Sequence, residues 1–261
     1  MVCFAKKVAD AERGETHLFS VGQAGFIVKS RSGQLLGLDL YLSSCVERIE
    51  GHVGFKRLLP KLMEPNELEF DVLIASHPHW DHFDADAMPT LMELQKTRLF
   101  ASVDCENLVR QLRIPRERTA YIAPGETRIV GDFTLHFVNC DHGTGAPDAV
   151  GVVIEIDGKR IYFAGDTCLR LDRTEEILQF GLIDVMLAPI NGAFGNMNES
   201  ECARLGAALR PGFIVPCHYG MFASHGGSPG VFYDIMRQQY PELPFLLMAM
   251  GEDHILGEET R

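Results

Sequence analysis

Three histidines and an aspartate fall within six positions in Ser76-His-Pro-His-Trp-Asp-His82, directly after the apolar run Val72–Ala75. Imidazole and carboxylate together hold divalent zinc, manganese or iron, and no run of cysteines accompanies them as a structural zinc knot would need. His77 and His79 can converge on one ion. Asp81 and His82, further along the turn, then point toward a second ion. The alternative, a surface histidine cluster or a set of caps, does not account for four candidate ligands at HxHxDH spacing in a chain with 10 histidines.

Two ions need more ligands than one loop supplies, and three further candidates each follow an apolar strand-like stretch. His142 stands in Cys-Asp-His-Gly, Asp166 in Gly-Asp-Thr and His218 in Cys-His-Tyr-Gly. Taken singly, each reads more simply as a hydrogen-bonded buried or turn residue. His17, His52, His136 and His254 have no companion ligands and read as ordinary strand or surface residues. His225, in the loop Phe222-Ala-Ser-His-Gly-Gly, is a candidate substrate contact. Asp39 closes its own strand and is a candidate partner fixing a histidine tautomer from behind. Cys140, Cys168 and Cys217, each within two residues of a candidate ligand, read as buried packing rather than thiolate ligands.

Ligands placed at strand ends demand a sheet-rich frame. Strands are expected at residues 17–21, 25–30 and 35–40, opening the fold as an antiparallel meander with a turn at 31–34. Others are expected at 72–75, 98–102, 128–139, 149–156, 160–164, 184–189 and 213–216. Helices are expected at 84–96, starting near Pro89, and at 173–180, 199–209 and 229–239. Hairpins mixed with helices throughout imply two mixed sheets, a four-layer αββα sandwich, rather than one parallel sheet. Its 261 residues suit a single domain covering 1–261.

The bulk properties narrow the function. An apolar fraction of 46% and a charged fraction of 23% are those of a soluble protein, and no apolar stretch approaches a membrane span. A net charge of −12 repels polyanions, so a small-molecule substrate is expected and nucleic acid is not. Seven scattered cysteines and no signal-like N-terminus point to reduced thiols in the cytoplasm.

The order His-x-His-x-Asp-His, then His, Asp and His, resembles the metallo-β-lactamase superfamily. Further stretches resemble its L-ascorbate-6-phosphate lactonases: Val21-Gly-Gln-Ala-Gly-Phe26, Leu38-Asp-Leu-Tyr-Leu-Ser43, Phe55-Lys-Arg-Leu-Leu-Pro60, Ser76 to Asp84, Ala188-Pro-Ile-Asn-Gly192 and Pro216-Cys-His-Tyr-Gly220. The resemblance implies that His77, His79 and His142 bind one ion and Asp81, His82 and His218 another, with Asp166 bridging. It implies two divalent ions, zinc or manganese, and a homo-oligomer. The reaction it implies is hydrolysis of a small anionic lactone or ester by metal-activated water, with Asp81 and Asp166 orienting the nucleophile. Lys56, Arg57 or Arg170 are candidates for binding a substrate phosphate, together with backbone amides of the loop beginning at Asn191. The alternative with the same metals is a phosphodiesterase or nuclease. A di-iron redox protein on this fold would carry Glu where His79 stands, and a non-catalytic sensor would have lost ligands.

Overall fold

The computed structural model describes residues 3–257; residues 1–2 and 258–261 of the expected domain lie outside it. Along the chain, helix α1 (Phe4–Asp10) precedes the antiparallel strands β1 (His17–Gly22), β2 (Gly25–Lys29) and β3 (Leu35–Leu38). Helix α2 (Cys45–Glu50), β4 (Val72–Ala75), α3 (Met88–Leu91), β5 (Arg98–Ser102), α4 (Glu106–Gln111) and β6 (Thr119–Ile122) complete the first half. The second half runs β7 (Thr127–Val130), β8 (Phe133–Asn139), β9 (Val150–Ile156), β10 (Lys159–Phe163), α5 (Thr174–Leu178), β11 (Val185–Pro189), α6 (Glu199–Leu209), β12 (Phe213–Cys217), α7 (Pro229–Gln239) and β13 (Asp253–Ile255).

The strands form two mixed sheets, in the orders β13-β1-β2-β3-β4-β5-β6 and β12-β11-β10-β9-β8-β7. They face each other across one core. Leu18, Phe26, Leu36 and Ile74 of the first sheet meet Leu135, Val152, Phe163 and Leu187 of the second. The alternate residues of the same strands are apolar too: Phe19, Ile27 and Leu73 pack on α1, α3 and α4, while Val153, Tyr162 and Met186 pack on α5, α6 and α7. Strands buried on both faces read as continuous apolar runs, which is why β4, β11 and β12 stood out in the sequence. The result is the expected four-layer αββα sandwich. With one core shared by both sheets, we propose that the chain is a single folding domain.

Helices α6 and α7 begin where caps dictate. Asn198 and Glu201 form a reciprocal capping box, and the Ser228 hydroxyl accepts from the Val231 amide ahead of Pro229. Elsewhere the structure corrects the expected boundaries. The strand expected at 128–139 is a hairpin, β7 and β8, turning at Gly131 (φ 56°) and Asp132. The helix expected over 84–96 shrinks to α3, because the Arg118 guanidinium takes the carbonyls of Met92 and Leu94 that a longer helix would have used. The strand expected over 35–40 stops at Leu38, since Asp39 turns into the left-handed region (φ 40°). Strands β6 and β13 and helices α1, α2 and α4 were not expected. They are short, and β13 carries only Asp253, His254 and Ile255, so its pairing with β1 rests on tertiary position.

All seven cysteines are free, and five of them are buried. Titration of the denatured, unreduced protein should therefore count seven thiols; recovery of disulfides from fresh lysate would contradict a reduced compartment. Among the described residues no helix is long and apolar enough to cross a membrane.

Candidate metal centre

Strands β1, β3, β4, β8, β10, β11 and β12 run in the directions that bring their C-terminal ends to one edge of the sandwich. The residues just past those ends make the site, as expected where strands of an α/β fold terminate. After β4 the chain folds tightly, with the amides of His82 and Phe83 both donating to the His79 carbonyl. That compact turn lets four side chains from six positions face the same space.

His77, His79 and His142 form one group. His77 Nε2 lies 2.9 Å and His142 Nε2 3.1 Å from His79 Nδ1. Nitrogens about 2.0–2.1 Å from a single tetrahedral ion stand roughly 3.3 Å apart, so this spacing fits three ligands of one metal. Asp81, His82 and His218 form a second group, their ligand atoms within 4.8 Å of one another. Asp166 lies between the two: its Oδ2 is 3.1 Å from His218 Nε2, 3.4 Å from His82 Nε2 and 3.7 Å from His142 Nε2. Its other oxygen is buried with no hydrogen-bond partner, as is Nδ1 of His142. A carboxylate so placed, with one oxygen unsatisfied, fits a ligand shared between ions. The residues present thus fit divalent metal in both groups.

The supporting contacts are equally specific. Asp39, fully buried, accepts from the Ser76 amide at 2.8 Å and from the Ser76 hydroxyl, and its Oδ2 lies 2.6 Å from His82 Nδ1. The back of the His82 ring is therefore fixed and its Nε2 faces the centre, the arrangement expected for Asp39. Gln23 and Asn196 were missed by sequence reasoning. Gln23 donates to Asp81 Oδ2 at 2.8 Å, and its carbonyl receives the His218 amide; Asn196 donates to Asp166 Oδ2 at 2.8 Å. The only hint of Gln23 was its place between glycines at the end of β1, and Asn196 had no signal at all. Cys140 is buried and bonds the Asp166 carbonyl through Sγ, a packing and backbone-fixing role.

Electrostatics divide the cluster. Burial holds His77 and His79 below the ordinary imidazole range, and it lowers His142 to about 4, leaving all three neutral as ligands must be. For His218 burial opposes charge, yet Asp166 and Asp81 outweigh it and push the ring up to about 9; Asp166, Asp81 and Asp39 raise His82 in the same way. The imidazoles in turn draw Asp81 and Asp166 well below the carboxylate range against their burial.

Above the cluster opens a cavity of about 610 Å³, within the range of small-molecule sites. His225 lines it, its ring centroid 5.2 Å from that of His218. The other expected substrate contacts are placed elsewhere. Lys56 is exposed and does not line the cavity. Arg57 spends its guanidinium on the carbonyls of Ser43 and Leu59 and stacks 4.6 Å over Tyr41. Arg170 is paired with Asp141 and Asp172. Asn191 lies buried behind the His225 loop, its backbone against Gly226 and Gly227.

This sandwich and donor set define a metallo-β-lactamase-fold, metal-dependent hydrolase. A family model described as a beta-lactamase superfamily domain matches residues 46–219. A UPF0173 metal-dependent hydrolase of Myxococcus xanthus is 30% identical over 243 residues, covering 87% of this chain and 79% of that protein. Among solved structures, a possible metal-dependent hydrolase from Veillonella parvula matches 93% of this chain and 100% of its own, with a TM-score of 0.77 at 18% identity. Igni18, described as a novel metallo hydrolase from Ignicoccus hospitalis, matches 92% and 97% with a TM-score of 0.71 at 21% identity. The chain belongs to the UPF0173 metal-dependent hydrolases of the β-lactamase superfamily. The finer likeness to L-ascorbate-6-phosphate lactonases stays a resemblance of short sequence stretches.

Proposed function

We propose that this protein hydrolyses a small ester or lactone at a binuclear centre of zinc or manganese. His77, His79 and His142 would hold one ion and Asp81, His82 and His218 the other, with Asp166 placed between the two groups. The observation that carries this reading is the position of Asp166 Oδ2 within 3.1–3.7 Å of ring nitrogens from both groups, at the floor of a small-molecule cavity. When bound, the metals supply Lewis-acid polarisation of the scissile carbonyl and bring a water's pKa toward neutrality.

The chain's own residues do the rest. Asp166, anchored by Asn196, and Asp81, anchored by Gln23, present fixed oxygens that accept hydrogen bonds from the attacking water and orient it. Asp39 keeps His82 in one tautomer. Trp80 and Phe55 wall the cavity and exclude bulk water, which strengthens every electrostatic interaction inside.

The competing reading, a nuclease or a phosphodiesterase acting on a polyanion, would draw on cations along the backbone track, and among the described residues no Lys or Arg lines the cavity. Screening the zinc- and manganese-loaded protein against lactones, carboxylic esters, thioesters, RNA and bis-p-nitrophenyl phosphate decides between them. Cleavage of a lactone or ester with kcat/KM at least about a hundredfold above any phosphodiester is expected; the reverse order would leave the metal site standing and reject the reaction class. The family resemblance further supports a homo-oligomer, which light scattering tests, and the free thiols support a cytoplasmic location.

A further inference from the structure

The cavity's walls say more about the substrate than its floor does. Helix α2 turns two residues spaced four apart toward it, Val46 and Glu50, and the segment entering α4 does the same with Leu108 and Asp104. Residues at that spacing lie one above the other on a helix face. On each side an apolar group is thus paired with a carboxylate.

The third wall is aromatic. Phe55, Phe194 and His225 form a three-ring group with centroids 5.6, 5.4 and 5.3 Å apart. Phe194 is 57% exposed and sits at φ 56°, a conformation that a bulky residue rarely adopts. A large apolar ring held open to solvent on a disfavoured backbone contributes nothing to the core, whereas at a cavity mouth it offers a surface for an apolar ligand.

From these walls we infer that the enzyme takes a substrate with an apolar, uncharged body and rejects anions. The inference rests on the hydrolase reading for which bond is cut, but not for what the walls bind. With no Lys or Arg among the described residues lining the cavity, Glu50 and Asp104 repel a negatively charged body, and the chain's net charge of −12 adds to that at longer range. An alkyl or aryl group meets Val46, Leu108, Phe55 and Phe194 and gains the free energy of leaving water. A phosphate on the substrate's body, as the sequence suggested, meets no Lys or Arg among the described residues of these walls.

Trp80 gives a readout that does not depend on turnover. It is the sole tryptophan of the chain and lines the cavity. The zinc-loaded protein is titrated with three ligands of equal chain length: octan-2-one, octane-1-sulfonate and octyltrimethylammonium. Octan-2-one should shift Trp80 emission saturably, with the sulfonate binding at least about tenfold more weakly. Glu50→Gln should narrow that gap, and Phe55→Ala or Phe194→Ala should weaken the ketone about tenfold by removing apolar contact with its alkyl chain.

Sulfonate binding equal to or tighter than the ketone overturns the inference. So does an ammonium ligand tenfold tighter than the ketone, since the two carboxylates would then form a cation subsite. If the ketone binds as expected but no ester or lactone is turned over, the proposed reaction fails and this inference stands. If esters are cleaved while the sulfonate matches the ketone, the outcome is the opposite.

Discussion

Replacing His77 or Asp166 with alanine should abolish hydrolysis, a fall of about a thousandfold or more, while the chain stays folded. His77 supplies one of three nitrogens gathered within about 3 Å, and Asp166 is the carboxylate that both groups share. On the binuclear reading, removing either would leave an ion short of a ligand. The fold should tolerate the loss because the three largest apolar clusters do not include the ligand side chains, and a polar group lost from the site costs about 1–3 kcal/mol against the 5–15 typical of a domain. Elemental analysis should find close to two equivalents of transition metal in the native protein and less in each variant, with unchanged circular dichroism. Asp166→Asn keeps the shape and the Asn196 neighbour, so its inactivity would assign the effect to the charge. Full activity in Asp166→Ala would sink the binuclear reading.

The second large effect is expected one layer behind the ligands. Asp39→Asn should lower metal affinity by about 10–100-fold, measured by competition with a chromogenic chelator. The carboxylate takes the Ser76 amide on one oxygen and faces His82 Nδ1 with the other. An amide can reproduce the first contact but presents either a neutral acceptor or an N–H to His82, weakening the hold on the tautomer that leaves Nε2 free for metal. Asp39→Ala, which also strands the buried Ser76 amide, should lower thermal stability as well. A chelator affinity that does not move in Asp39→Asn would show that His82 is oriented by its packing alone.

The parts of this protein legible in the linear sequence are those set by local spacing. HxHxDH places four candidate ligands within one turn, so their proximity depends on six consecutive residues. The strands β4, β11 and β12 announced themselves because both faces are buried, and α6 and α7 because Asn198 with Glu201 and Ser228 with Pro229 fix their starts. Asp39, His142, Asp166 and His218 could be singled out because each lies at or just past the end of a readable strand, and the order of the last three with HxHxDH resembles a known family.

Tertiary structure decided what depends on long-range approach. Gln23 and Asn196 reach the ligands only because the C-terminal ends of β1 and β10–β12 share an edge, and polar residues in loops carry no periodicity to betray this. Arg57 illustrates the converse: its type and its neighbour Lys56 suggested a phosphate site, yet the nearby carbonyls of Ser43 and Leu59 claim the guanidinium first. The cavity walls come from α2, α4 and the separate loops that carry Phe55, Phe194 and His225, none with a distinctive pattern. Candidate donors that are neighbours in sequence are written in the chain itself, whereas His142, Asp166, His218 and the cavity walls join them only once the two sheets have packed.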